Sequence, residues 1–384
     1  VNGLNETGTP VSQSIVANIQ LGLPATISKL SSKMRFIDRI APALKNAGLV
    51  RNIEQLNPFT IRASGIYAIN KTGNAFGGIL YIAGAARQDM AIKEGSIYKT
   101  RQDSRITVDE IDDLDYQKKL KYIDIINTYK LLDELMEEEE KPELVMVSVP
   151  LLLERADAPL ETRLDVVKLY NNCKKTIENF WMKHNKKIFP FNKDGIKISS
   201  VGNRRFGAVI FGLTEENIDS IIDPIDRDII SKMPDIMPRI QEVGIKRLMT
   251  GILVKMTRTA AFRFDKLSED NRMEPEALRE FGLTGMHIKA GNATPPLLVE
   301  VIGTDWTTED LDRLASEIIS LIIFDQQKAM PIPLWYARYA LKPVEVLQNG
   351  KNAILEFYKS QIREKLRNEE LENIWKENLD AFES

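Results

Sequence analysis

Gly65-Ile66-Tyr67-Ala68-Ile69-Asn70-Lys71-Thr72-Gly73-Asn74-Ala75-Phe76-Gly77-Gly78-Ile79-Leu80-Tyr81-Ile82 decides how the chain is read. Ile66 to Ile69 are apolar without alternation, the mark of a central strand buried on both faces. Lys71-Thr72-Gly73-Asn74 supplies turn chemistry, and Ile79 to Ile82 returns as a partner strand. Asn70 is then expected where the first strand runs out. A polar group held rigidly at a strand end suits a metal or phosphate site, and equally suits a plain turn.

Outward from this hairpin the chain alternates between helical and strand periodicity. Toward the N-terminus, Ser14 to Ala47 repeats apolar residues at helical spacing, and Pro24 and Pro42 are expected to split it into short helices. Beyond the hairpin, Ala83 to Asp103 extends the second strand, with a third around Ile97-Tyr98. A helix is expected from Val108 to Glu139. The buried strand Glu143 to Leu153 follows, and helix-then-buried-strand is α/β grammar. Glu161 to Lys187 is an amphipathic helix, Ile196 to Gly212 a strand pair, and Asn217 to Glu242 helix or loop broken by prolines. Lys246 to Arg263 reads as basic strand and Pro296 to Ile302 as another strand. Thr308 to Asp325 is a helix capped by Thr307 or Thr308, with acids in its first turn. Pro331 opens a short helix, and Gly350 to Asn378 reads as a long charged one, whose apolar pattern allows a partner.

The 384 residues carry a net charge of -3, so a nucleic-acid surface would have to be a local patch. Arg204-Arg205 and the Lys246 to Arg263 segment, with Lys255 and Arg258, are candidate phosphate contacts or ordinary edge protection. The single cysteine, Cys173, lies in an apolar helical stripe and excludes an intrachain disulfide. No apolar run approaches the roughly 20 residues that span a bilayer, and the start lacks a signal pattern, so a soluble cytoplasmic protein is expected. Glycine-rich phosphate loops and paired-histidine zinc motifs are missing. Neither His184 nor His287 keeps company with a nucleophile, so serine or cysteine hydrolase chemistry is not expected.

Four fragments, in order, resemble the NurA family, nucleases with a ribonuclease H/PIWI-like core that partner the HerA hexameric translocase. Ala68-Ile69-Asn70-Lys71-Thr72 with Gly77-Gly78-Ile79-Leu80-Tyr81 is similar to the family's Ala-Val-Asp-Gly-Ser motif and its glycine-rich strand. Lys121-Tyr122-Ile123-Asp124 resembles its helix carrying an acid, and Leu144-Val145-Met146-Val147-Ser148-Val149-Pro150-Leu151 its apolar strand ending Leu-Asp-Gly-Ser. Pro331-Ile332-Pro333-Leu334-Trp335-Tyr336-Ala337-Arg338 resembles its Pro-x-Pro-Leu segment followed by Ala-His. Val201 to Gly207 and Leu297 to Val301 look like its basic motif and Arg-Val-Glu strand. The resemblance implies a mixed α/β central sheet flanked by helices, with residues 1–60 and 343–384 as helical additions to a core at 61–342. It also implies a homodimer, a HerA-type ATPase partner and DNA as ligand.

The departures from the family are as telling. By resemblance, two aspartates, the helix acid and the histidine bind divalent metal, normally manganese, for phosphodiester hydrolysis. Here Asn70 and Ser148 stand for the aspartates and Arg338 for the histidine, and only Asp124 keeps a charge that suits a cation. Two-metal hydrolysis needs anionic oxygens to hold cations about 4 Å apart. An arginine would repel a cation by roughly 4 kcal/mol per unit charge at about 4 Å. Three expectations follow: a NurA-like pseudonuclease without a cofactor; an active manganese or magnesium nuclease using displaced acids such as Asp89, Asp103 or Glu154; or an interaction protein with no nucleic-acid role.

Overall fold

A computed structural model of the chain describes residues 10–46, 49–56, 59–75, 78–111, 115–160, 164–202, 224–225, 228, 243–263, 273–323, 330–346, 360–361 and 364–365. Arg204, Arg205 and nearly all of the long terminal helix expected at Gly350 to Asn378 lie outside them.

The centre is a sheet of β2 (Ile61–Ala75), β3 (Gly78–Lys93), β4 (Ser96–Ile111), β5 (Leu144–Val147) and β7 (Lys197–Gly202). β2, β3 and β4 form an antiparallel meander, while β5 lies parallel to β2 and β7 parallel to β5. The spatial order β4-β3-β2-β5-β7 is the expected ribonuclease H-type arrangement. Helices α2 (Tyr116–Glu137) and α3 (Leu164–His184) are the crossovers that parallel strands require. The sheet continues antiparallel through β12 (Leu297–Ile302), β11 (Leu283–Lys289), β8 (Thr257–Thr259) and β1 (Val50–Asn52), with β9 (Phe262–Arg263) also on β11. β6 (Leu153–Glu154) and β10 (Met273–Glu274) pair apart from it.

Two cores follow from the apolar runs. On one face Ile66, Val145 and Val147 pack with Ile125, Leu132, Phe180 and Trp181 of α2 and α3. On the other, Ala63, Met146 and Val299 pack with Leu314 and Ile318 of α5 (Thr308–Ile323) and Leu334 of α6 (Ile332–Ala340). Gly65 is fixed by that second layer: a Cβ there would lie 2.3 Å from Leu334 N. The glycine is what lets the helix lie against the strand.

Several expectations need correction. Proline does not split the first helix; α1 runs unbroken from Pro10 to Asn46 with Pro24 and Pro42 inside. Its N-terminal part is exposed, so water can satisfy the carbonyl that a proline leaves unpaired. Val108 to Ile111 belongs to β4 and not to a helix, because left-handed Asp115 (φ 56) delays the start of α2 to Tyr116. The basic stretch from Lys246 begins as α4 (Ile245–Ile252), its Leu248, Met249 and Ile252 packed against Ile37 and Leu44 of α1. Within the N-terminal segment, Val50–Asn52 forms β1, the edge strand of the main sheet.

Candidate functional site

β2 keeps its parallel partner only through Ile66, opposite Val147. Ser148 extends the contact by one step. Its amide donates to Ile66 O at 3.0 Å, and its Oγ accepts the Ala68 N–H at 2.9 Å. Asn70 does not end the strand as expected, because β2 stays paired with β3 up to Ala75 opposite Gly78. It sits instead where β2 has left β5 behind, two residues beyond Ala68 and on the same face, which α2 covers.

There the half-buried Asn70 donates Nδ2 to Oδ2 of Asp124 on α2, at 2.6 Å. One helical turn on, Asn127 donates to Thr107 Oγ1 at 3.3 Å. Thr107 faces Ala83, which faces Asn70, so a row with polar residues at its two ends crosses three strands beneath α2. The i, i+3 spacing of Asp124 and Asn127 was the available sequence signal for this extension. Beside the row lies a cavity of about 650 Å³ lined by Tyr81, Thr107, Asp109, Lys119, Asn127 and Asp165 among others. Burial, and then Asp109, push the Tyr81 hydroxyl up to about 12, so it stays protonated.

Of the expected site residues, Asn70 and Asp124 are hydrogen-bonded to each other, and Ser148 bonds the backbone of Ala68, two residues before Asn70. Arg338 comes from α6, on the opposite face, and is exposed, with its guanidinium 5.8 Å from the Tyr67 ring centroid.

The donor set does not fit a two-cation centre. Only Asp124 brings an anionic oxygen, and one of its oxygens accepts from Asn70. The Ser148 hydroxyl is engaged by the backbone of β2.

The displaced acids do not repair the deficit. Asp89 and Asp103 belong to an ion cluster around the buried guanidinium of Arg87, with Arg101 and Glu138; Arg87 Nε donates to Asp89 Oδ1 at 2.8 Å. Asp89 pairs across from Ser64, six residues from Asn70 along the strand and thus about 20 Å away. Glu154 closes the capping box of the 3-10 turn at Arg155–Asp157.

Among the described residues, one group has ligand atoms close enough to hold a metal: Asp133, Glu137 and His184, within 4.8 Å of one another. It lies nine residues along α2 from Asp124, about 13 Å on the helical rise. Lys183 Nζ already bridges it, 2.9 Å from Asp133 and 2.8 Å from Glu137, and His184 Nε2 lies 2.7 Å from Asp133. Burial opposes the charge on Asp133, but the hydrogen bonds from His184 and Lys183 outweigh it and hold the carboxyl below its ordinary range. His184 Nδ1 is buried without a hydrogen-bond partner. A cation on Nε2 would fix the proton on that orphaned nitrogen, where a metal-bound histidine ordinarily has an acceptor. Lys183 and His184 already partner the two carboxylates, and the group is compatible with a metal only if that ammonium gives way.

Of the expected basic contacts, Lys255 is exposed. Arg258 is withdrawn from the set: it is 1% exposed, with Nε 2.6 Å from Asp312 and Nη1 2.8 Å from the Thr259 carbonyl. It ties β8 to α5. His287 is fully buried in β11, and burial lowers it to about 3, so it stays neutral. Cys173 is buried, and burial pushes its thiol up to about 12, which suits packing and not nucleophilic attack.

No protein-family model matches the chain, and no curated protein matches it. Among solved structures, the NurA nuclease from Sulfolobus solfataricus aligns over 94% of this chain and 98% of its own, with a TM-score of 0.54 at 11% identity. A NurA structure with manganese aligns over 84% of this chain and 95% of its own, with a TM-score of 0.41 at 10% identity. The catalytic domain of human Endonuclease V aligns over 80% and 94%, with a TM-score of 0.34 at 14% identity. The chain has a NurA-like fold. Among the described residues, no helix is long and apolar enough to cross a membrane.

Proposed function

We propose that the chain is a NurA-like component of DNA end processing or repair that binds DNA in the cytoplasm and cuts it weakly or not at all. It would act as a homodimer beside a HerA-type hexameric ATPase, supplying a DNA path and a docking surface. The observation that carries this reading is the Asn70–Asp124 hydrogen bond of 2.6 Å, an amide where two-metal chemistry would need a second carboxylate. The fold shared with the Sulfolobus solfataricus NurA nuclease supports the nucleic-acid part. Arg204, Arg205 and Lys255 are the proposed phosphate contacts.

Purified protein incubated with linear DNA and manganese or magnesium tests the catalytic part. The expected result is little or no degradation, with whatever remains unchanged in Asp124→Ala. Rapid degradation abolished by that substitution would refute it. A salt-sensitive DNA complex, weakened by Arg204→Ala with Arg205→Ala, tests the binding part, and co-purification with a hexameric ATPase tests the partner.

A further inference from the structure

Helix α6 carries a ring ladder that the site on the other face does not use. Trp335 and Tyr339, four residues apart, stack with centroids 5.3 Å apart and planes at 17°. Tyr336 meets Trp335 edge-on at 5.0 Å. Tyr339 is 54% exposed, an unusual degree for a tyrosine that also stacks.

Cations surround these rings. Lys99 of β4 places Nζ 3.6 Å from the Tyr336 centroid, and Lys342 of α7 (Lys342–Val346) places its Nζ 5.6 Å from that of Tyr339. Arg338, on the same helix, lies over Tyr67. Lys99, Arg338 and Lys342 are all exposed, and Glu345 is the sole acid in the sequence of α6 and α7.

Helical spacing alone explains why Trp335 and Tyr339 touch. Chain neighbourhood also brings Lys342 to Tyr339, three residues before it, but Lys99 reaches Tyr336 from β4, a separate element. Flat exposed rings flanked by cations are the means by which proteins hold unpaired bases, since each base has a π-face and each linkage a phosphate. A duplex offers its bases only at the ends, so such a ladder discriminates in favour of single strands.

We infer that α6, with Lys99 and Lys342, is a stacking platform for single-stranded nucleic acid, on which a base lies against Tyr339 while Lys342 and Arg338 meet the neighbouring phosphates. This rests on the nucleic-acid reading above and adds the strandedness and the surface.

Fluorescence anisotropy with dye-labelled oligo(dT), oligo(U) and a duplex of equal length tests it on the full chain. Tyr339→Ala should weaken binding of the preferred single strand about 5- to 150-fold, from the usual worth of one base–ring stack. Tyr339→Phe should restore it, and Lys342→Ala should lower the salt slope by about one phosphate contact. Because Tyr339 is largely exposed, both ring variants should melt as the parent does. Ring-dependent binding of either oligomer supports the platform, and the tighter one identifies DNA or RNA as its source. Unchanged affinity in Tyr339→Ala, or failure of Tyr339→Phe to restore it, overturns the platform and leaves nucleic-acid binding standing. If the parent binds none of the three, the nucleic-acid reading falls and the platform with it.

Discussion

Replacing Asn70 by aspartate puts a second carboxylate beside Asp124. The amide nitrogen now lies 2.6 Å from Asp124 Oδ2, and the substitution puts an anionic oxygen there. At that separation two unit charges repel by about 6 kcal/mol for an effective dielectric of about 20, and by about 4 kcal/mol if the side chains part to about 4 Å. The lost hydrogen bond to a charged group adds about 1.5–3 kcal/mol. Against a typical total stability of about 5–15 kcal/mol, the pair cannot remain doubly ionised at little cost.

Two escapes exist, a shared proton or a bound cation, and they differ in pH dependence. If the pair shares a proton, one carboxyl has a folded pKa raised above its unfolded value. The relief is then complete below the unfolded value, near pH 4, and is lost as pH rises through the folded one. Thermal melting of Asn70→Asp should therefore show little loss at about pH 4 and a loss of several kcal/mol at about pH 8 in chelator. Manganese should recover part of it, about 2.7 kcal/mol when present at about 100 times its dissociation constant. Melting at the parental temperature in chelator at both pH values would refute the assigned pairing. Manganese stabilisation of the parent that Asp124→Asn abolishes would refute the claim that this donor set does not suit a cation.

Two further substitutions test residues whose roles the fold reassigns. Arg258→Ala should cost about 2–4 kcal/mol in denaturant unfolding, by leaving a hole between β8 and α5 and stranding Asp312, while nucleic-acid affinity stays as in the parent; an affinity loss without a stability loss would return it to the binding surface. Gly65→Ala sets a methyl 2.3 Å from backbone atoms of α6, so it should destabilise by at least about 1–3 kcal/mol, and unchanged stability would mean that the helix does not lie as close as described.

How much of this was legible depended on whether the signal was local. The doubly apolar runs of β2 and β5 identified central strands, because burial on both faces removes alternation. The start of α5 was equally plain: Thr307 accepts from Asp310 N at 3.2 Å while Asp310 accepts from Thr307 N at 3.1 Å, the capping box that the sequence offers. Ile245, Leu248, Met249 and Ile252 of α4 have helical spacing, but eight residues are too few for periodicity to separate a helix from a basic strand. Arg258 could not have been placed from sequence, because its partner Asp312 lies 54 residues away.

The site itself shows how two polar side chains can fasten the end of a central strand without a cation. Ser148 holds Ala68 N–H through its hydroxyl, so the end of β5 still clasps β2 after the strand pairing stops. Asn70 holds Asp124 through its amide, so α2 still leans on the same strand. The acceptor role of Ser148 could pass to a carboxylate, whereas the hydrogen bond that Asn70 donates could not, and neither side chain needs a cation for its contact. The Ser148 hydroxyl therefore contributes to the stability of the junction between β2 and β5.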